Sequence, residues 1–192
     1  ANRIYVHRSL YDSFVAECTR LTQQLRVGHG LDDGVDIGPM TRVTVANKCR
    51  DHIGNAVSLG ARLMCGGLDN NLGSNFVLPT VLADVTDEMD IAFEETFGPV
   101  AAILPFDDEE DVIQRANKTE YGLAAYVYTN DLKRAVRVCD RLEYGMVALN
   151  TPKFTGAPIP FGGWKQSGLG REGSKHGLAE YMELKYVCVG GL

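Results

Sequence analysis

Two stretches of the chain combine residue types that can do chemistry. The first is Glu94-Glu95-Thr96-Phe97-Gly98-Pro99. Paired carboxylates can serve as general acid and base. An aromatic ring followed by a rigid Gly-Pro step can stack on a planar ligand, while a neighbouring carboxylate accepts hydrogen bonds from a ribose diol. The plain alternative is a solvated acidic turn ahead of a buried strand, and composition alone favours it. The second stretch is PIPFGGWKQSGLGREG, residues 158–173, where Gly168, Gly170 and Gly173 stand in G-x-G-x-x-G spacing. That fingerprint of a dinucleotide-binding turn needs a strand entering the first glycine and an acid at the end of the next strand, some ~20 residues on. FGGWKQS is not strand-like, and Glu180 and Glu183 fall inside or at the end of the expected following helix. The glycines therefore read as left-handed turns in a loop.

A third region, residues 150–163, carries Pro152, Pro158, Pro160 and a Gly162-Gly163 pair. Long loops with rigid punctuation are often functional. Phe161 either lines a pocket there or plugs the core. Arg171 and Glu172 read as an ion pair at the start of the last helix. His7, His29, His52 and His176 stand in no metal-ligand spacing with cysteines or acids, so no metal site is expected. Trp164-Lys165 could imitate a nucleic-acid stacking patch, but the formal net charge of -6 argues against nucleic acid and against an anionic membrane as partners.

The elements that must position these residues follow from periodicity. Residues 2–7 read as a strand, and Ser9 as the N-cap of a helix carrying Tyr11, Phe14, Val15, Cys18, Leu21 and Leu25 on one face. Residues 27–39 read as a loop, 41–59 as a helix with Val45, Cys49, Ile53 and Val57 on one face, 61–65 as a strand and 66–75 as a turn region. Residues 76–85 read as a strand that Pro79 places near an edge or a bulge. Residues 87–96 are acidic and irregular, and residues 100–105 form a buried strand. A helix over 107–118, a strand over 123–129, a helix over 131–142 capped by Asn130, and a strand over 146–150 complete the alternation. A long loop then leads to a last helix over 174–182 and a last strand over 186–189. This order predicts an α/β domain with a largely parallel sheet flanked by helices.

The 192 residues suit one domain, or one domain with an appendage. Apolar residues make up 45% and charged residues 23%, the balance of a globular chain. No apolar run approaches the ~20 residues of a membrane span. The five cysteines, Cys18, Cys49, Cys65, Cys139 and Cys188, are scattered and odd in number. Four of them sit inside apolar patterns, which reads as buried thiols in a reducing cytoplasm. The chain opens on Ala1 with a strand already in stride, so it is expected to be the downstream part of a longer protein.

Taken together, Glu94 to Pro99, Asn117, Tyr121-Gly122-Leu123-Ala124, Asn150, Pro160-Phe161-Gly162-Gly163, Lys165, Ser167-Gly168 and Gly170-Arg171-Glu172 resemble the C-terminal half of an aldehyde dehydrogenase in order and spacing. The likeness covers essentially the whole chain. The ending, KQSGLGREGSKHGLAEYMELKYVCVGGL, most resembles succinate-semialdehyde dehydrogenases.

The resemblance implies an aldehyde dehydrogenase catalytic-domain-like fold over residues 1–172, followed by a C-terminal helix and oligomerisation strand over 173–192. It implies oxidation of an aldehyde, with succinic semialdehyde foremost, to its acid by NAD or NADP through a cysteine thiohemiacetal and thioester. The nucleophilic cysteine and the general-base glutamate would lie upstream, so no catalytic residue is expected in this chain and the isolated chain is expected to be inactive. Carried over residue by residue, Glu95 matches the carboxylate on the nicotinamide ribose and Phe97 the ring beside the nicotinamide. Lys48 matches a position that approaches the adenosine side. On the substrate side, Phe161 matches an aromatic of the tunnel and Thr155 a hydroxyl that bonds a substrate carboxylate, with Asn150 beside them. A cytoplasmic homodimer or homotetramer is implied. The alternatives are a dehydrogenase for another aldehyde, or a non-catalytic remnant used for binding or assembly.

Overall fold

In the computed structural model, which describes residues 1–67, 71–153 and 155–191, the chain divides into two compact units, Ala1–Val112 and Ile113–Leu192. The expected boundary at 172/173 falls inside the second unit. Part of the turn expected over 66–75 lies outside the described residues.

The first unit is built on a four-stranded sheet of order β1-β4-β3-β2. Strands β1 (Ile4–His7) and β3 (Thr80–Ala83) flank β4 (Val100–Phe106) in parallel, and β2 (Arg62–Cys65) adds an antiparallel edge. Alternation of side chains gives the sheet two buried faces. Val81, Ala83 and Ile103 face helix α1 (Arg8–Thr22) with its buried Tyr11 and Val15. Leu82, Ala102 and Leu104 face helix α2 (Val43–Ser58) through Ala46, Cys49, Ile53 and Ala56. The short helix α3 (Asp90–Phe93) closes that second face with Ile91 and Ala92, inside a stretch expected to be irregular.

Three expectations for this unit need correction. The strand expected over 76–85 pairs only over Thr80–Ala83, and it is central, with all four residues buried. Pro79 is tolerated because it precedes the first paired residue, where its missing N–H costs no ladder bond. Helix α1 is capped by His7, whose side chain accepts from the Ser9 N–H, and not by Ser9 itself. Phe14, Leu21 and Leu25, expected on the buried face, stay exposed.

The second unit contains a parallel pair, β6 (Ala124–Val127) and β7 (Met146–Leu149), joined through helix α5 (Leu132–Arg141). Two-residue strands β5 (Tyr121–Gly122) and β8 (Trp164–Lys165) pair antiparallel. The unit boundary falls within helix α4 (Glu109–Asn117). The cap of α5 is Asp131, one residue after the expected Asn130; its carboxylate accepts from the N–H groups of Lys133 and Arg134. The last helix, α6, covers only His176–Ala179. The strand expected over 186–189 has no partner among the described residues, and Tyr186, Val187 and Val189 stand exposed.

Candidate functional site

The Glu94 to Pro99 turn follows α3 directly and leads into β4, so both its ends are anchored in the first unit's core. Its middle is pinned by side chains from far away in sequence. Asn2 donates through Nδ2 to the carbonyls of Ile91 (3.0 Å) and Glu94 (3.2 Å), and its Oδ1 accepts from the Thr96 N–H (3.0 Å). His52, only 4% exposed, places Nδ1 3.0 Å from the buried Thr96 hydroxyl. Gly98 lies flat against Cys49: a Cβ there would come within 2.2 Å of the Cys49 sulfur, so a larger residue would have to displace it. The Pro99 carbonyl then accepts from the Thr80 N–H (2.9 Å), which starts the β3–β4 pairing.

This clamp produces a conformation that the local sequence disfavours. Phe97 has φ of 55°, the left-handed region that a bulky residue enters at a cost of order 1–3 kcal/mol. Its ring is 79% exposed, so the strain is not offset by burial of that ring. A backbone hydrogen-bonded to Asn2, an exposed ring and the exposed Glu95 carboxylate two residues before it make a surface suited to a planar heterocycle and a diol. The plain reading of a merely solvated acidic turn does not account for the clamp.

Lys48, from α2, joins this surface through Glu94, not Glu95: its Nζ lies 3.4 Å from Glu94 Oε2, and His52 Nε2 approaches the same oxygen at 3.6 Å. Both Lys48 and Glu94 side chains are substantially exposed, so the pair itself contributes little to stability, about 0–1 kcal/mol. An open cleft of about 490 Å³ runs beside them, lined by Thr44, Asn47, Lys48, Asp51, His52, Asp90 and Glu94. Lys48 thus reaches the turn at Glu94, one residue before Glu95 and three before Phe97. Asn2 and His52 were missed by sequence reading as site builders, and Glu94, singled out as one of two paired acids, serves here as the partner of Lys48. A signal for His52 existed: it stands four residues after Lys48 and three after Cys49, between the candidate lysine and the inward face of the same helix.

The substrate-side candidates all belong to the second unit. Asn150 has φ of 53°, and its amide is engaged with one residue: Oδ1 accepts from the Thr129 N–H and Nδ2 donates to the Thr129 carbonyl, each at 2.9 Å. It continues the β6–β7 pairing past the strand ends with a side chain. Thr155 is exposed on irregular backbone. Phe161 is half-buried and forms an isolated antiparallel bridge with Glu172, with reciprocal 2.8 Å bonds.

The glycine fingerprint is explained without phosphate. Gly168, Gly170 and Gly173 all have positive φ. The carboxylate of Glu180 occupies the space over Gly170 and accepts from the Arg171 N–H at 3.3 Å, so an acid of this chain already takes the amide that an anion would need. The Arg171–Glu172 ion pair does not form. The Arg171 guanidinium donates instead to the carbonyls of Gly163 and Gly170, because a planar multi-donor group satisfies loop carbonyls better than one exposed carboxylate. Lys165 likewise ties the loop, reaching the carbonyls of Asn117 and Thr119 and the Glu143 carboxylate. Ser167 accepts from the Gly122 N–H at 3.0 Å.

Of the cysteines, only Cys49 is buried. Cys18, Cys65 and Cys139 are half-buried and Cys188 is exposed, and all five are free. Among the described residues no cluster of three His, Cys, Asp or Glu side chains could hold a metal ion. No helix among them is long and apolar enough to cross a membrane.

Comparison with known proteins bears on the turn and the fold together. The model of the aldehyde dehydrogenase family matches residues 1–187. The chain is 48% identical, over 192 residues, to the 3-sulfolactaldehyde dehydrogenase of Pseudomonas putida, covering 100% of this chain and 40% of that protein. It is also 48% identical, over 190 residues, to the succinate-semialdehyde dehydrogenase [NADP(+)] GabD of Escherichia coli (strain K12), covering 99% and 39%. The crystal structure of succinate-semialdehyde dehydrogenase from Burkholderia pseudomallei superposes with a TM-score of 0.95 at 46% identity, covering 98% of this chain and 39% of that one. The chain therefore spans about 40% of the length of the curated relatives it matches. A mostly parallel α/β sheet, the motif-bearing turn before β4 and a family match over nearly every residue lead to one conclusion: the chain belongs to the aldehyde dehydrogenase family.

Proposed function

We propose that this chain is the catalytic-domain portion of an NAD(P)-dependent aldehyde dehydrogenase that oxidises succinic semialdehyde to its carboxylic acid. The observation that carries the reading is Phe97, a bulky residue clamped at positive φ with its ring exposed beside Glu95. Strain kept at an exposed aromatic is the mark of a ligand-facing turn. Glu95, Phe97 and Lys48 are the residues that hold the cofactor: the carboxylate takes the ribose hydroxyls, the ring lies beside the nicotinamide, and the ammonium serves the adenosine side. The nicotinamide supplies a hydride acceptor. This chain contributes a binding surface that needs no reorganisation, because Asn2, His52 and Cys49 have already fixed it. Phe161, Thr155 and Asn150 are assigned to the substrate side, Asn150 through the loop that its amide shapes.

The nucleophile and the general base are assigned to the part of the protein that the relatives have beyond this chain's 40% share. Residues 1–172 are read as the catalytic-domain portion and 173–192 as an assembly segment. The exposed residues 186–189 are proposed to pair between subunits in a homodimer or homotetramer, and light scattering of the intact protein and of a form ending at residue 185 tests that. A cytoplasmic location is part of the proposal and agrees with five free thiols. Relatives of equal identity are named for succinate semialdehyde and for 3-sulfolactaldehyde, both short aldehydes with an acid at the far end. The deciding experiment measures NADH and NADPH formation by the enzyme containing this chain, with succinic semialdehyde, 3-sulfolactaldehyde and glutarate semialdehyde. Highest kcat/KM for succinic semialdehyde is expected. A tenfold preference for another aldehyde overturns the substrate, and no turnover of any aldehyde overturns the activity.

A further inference from the structure

Two of the cysteines that the cofactor turn does not use come from elements 40 residues apart and meet on one face of the sheet. On α1, Tyr11, Val15 and Cys18 stand at spacings of four and three, so they share the face turned to the sheet. Tyr11 fixes the register: its hydroxyl donates to the Ile103 carbonyl and accepts from the Asp84 N–H, just past the end of β3. Cys18 comes seven residues later, about 10 Å along the helix axis at ~1.5 Å per residue. Three residues back along β3, at ~3.3 Å each, also cover about 10 Å and lead from Asp84 to Val81. Val81 is the residue that Cys65 faces across the β2–β3 ladder, where the register shifts between Leu63 and Cys65. Cys18 and Cys65 both pack on the cluster of Val6, Tyr11, Val15, Val81, Ala83 and Ile103, and α1 contacts β2 directly. Burial pushes the Cys65 thiol up, and the neighbouring Cys18 raises it further, a second sign that the two sulfurs are close. Cys49 is sealed under Gly98, and Cys139 and Cys188 belong to the second unit.

We propose that Cys18 and Cys65 form a dithiol pair that closes to a disulfide between α1 and β2 when the protein meets a peroxide. One thiol is oxidised to a sulfenic acid as the peroxide O–O bond breaks and one water leaves. The other sulfur then attacks the sulfenic sulfur, the S–O bond breaks, and a second water carries off the remaining protons. Two thiols and one hydrogen peroxide become one disulfide and two waters.

The test treats the folded protein carrying this chain with one equivalent of hydrogen peroxide, alkylates the remaining thiols, digests with trypsin and maps cross-links by mass. The expected product joins residues 9–20 to residues 63–115, vanishes on dithiothreitol treatment, and is absent from Cys18→Ser and Cys65→Ser. The oxidised protein melts at a higher temperature, and reduction reverses the rise. Oxidation of Cys18 or Cys65 to sulfinic or sulfonic acid without the cross-link overturns the proposal. So does pairing of either with Cys139 or Cys188, or an intact pair of thiols under a dose that oxidises Cys188. The wild-type map decides the question even where a serine variant folds poorly.

Discussion

Replacing Gly98 with alanine tests whether the cofactor turn is held by the residue behind it. A Cβ at position 98 would lie 2.2 Å from the Cys49 sulfur, with the Cys49 Cβ and the Met40 sulfur both at 3.7 Å. Gly98 has no positive φ, so alanine is allowed by the backbone and the whole cost comes from that one contact. Overpacking of this kind costs about 1–3 kcal/mol. Cys49→Ala alone removes one fully buried heavy atom and costs about 1–2 kcal/mol. In the double variant the new methyl fills the space that the sulfur left, and the nearest remaining contacts are ordinary ones. Its cost should therefore be about that of Cys49→Ala alone, a favourable coupling of about 1–3 kcal/mol. Guanidinium unfolding of the two singles, the double and the wild type measures it as shifts of midpoint at constant m-value. Under the proposed function, Gly98→Ala also raises KM for the cofactor, because a displaced Gly98 drags Phe97 with it, and the double restores it. Costs that add to within about 0.5 kcal/mol would refute the reasoning, since Gly98 would then owe nothing to Cys49.

Burial, the largest cause, pushes the Tyr11 hydroxyl up to about 12 from its ordinary 10.0, so its stabilising contribution is complete below pH 10 and is lost as pH rises to 12; over that window the wild type should lose about 3 kcal/mol that Tyr11→Phe does not lose, in unfolding curves compared at each pH. Asp131, held low chiefly by the Arg134 and Lys133 N–H groups, contributes above the usual carboxylate range and loses that contribution as pH falls through its lowered pKa; Asp131→Ala should melt earlier at pH 7, with the gap to wild type closing in acid. Phe97→Ala should leave the melting temperature nearly unchanged, because the ring is exposed and alanine at the same positive φ keeps the backbone strain, while KM for the nicotinamide cofactor rises at least tenfold in steady-state kinetics of the intact enzyme. An unchanged KM would remove Phe97 from the cofactor surface.

Much of the architecture was legible because its signals are local. Helix α2 declares itself through Cys49 and Ile53 at helical spacing, and β4 through an unbroken apolar run that only a doubly covered strand can bury. The candidate turn was legible in composition, and the match of motifs to a known family narrowed Glu95 and Phe97 from two among several acids and aromatics. Caps moved by one or two residues, from Ser9 to His7 and from Asn130 to Asp131, because several adjacent polar side chains could cap and only the chain's exit angle chooses. The last helix shrank to His176–Ala179, since an amphipathic pattern without a buried face to dock on does not sustain a long helix.

By itself, then, the sequence determined where the strands and the two long helices of the first unit lie, though not the short helix α3, and that a carboxylate, a ring and a Gly-Pro step stand together before β4. Tertiary structure alone decided how they stand. Asn2 meets Thr96 across 94 residues, His52 meets it across 44, and Cys49 sets how closely Gly98 approaches α2. These contacts hold Phe97 where its own φ preference would not and pair Lys48 with Glu94 and not Glu95, and the fold likewise packs Cys18 and Cys65 on one buried cluster. The physical reason is the same in each case. A hydrogen bond or a van der Waals contact is decided by distances of a few ångströms, and the folded sheet sets those distances between residues that the chain keeps far apart.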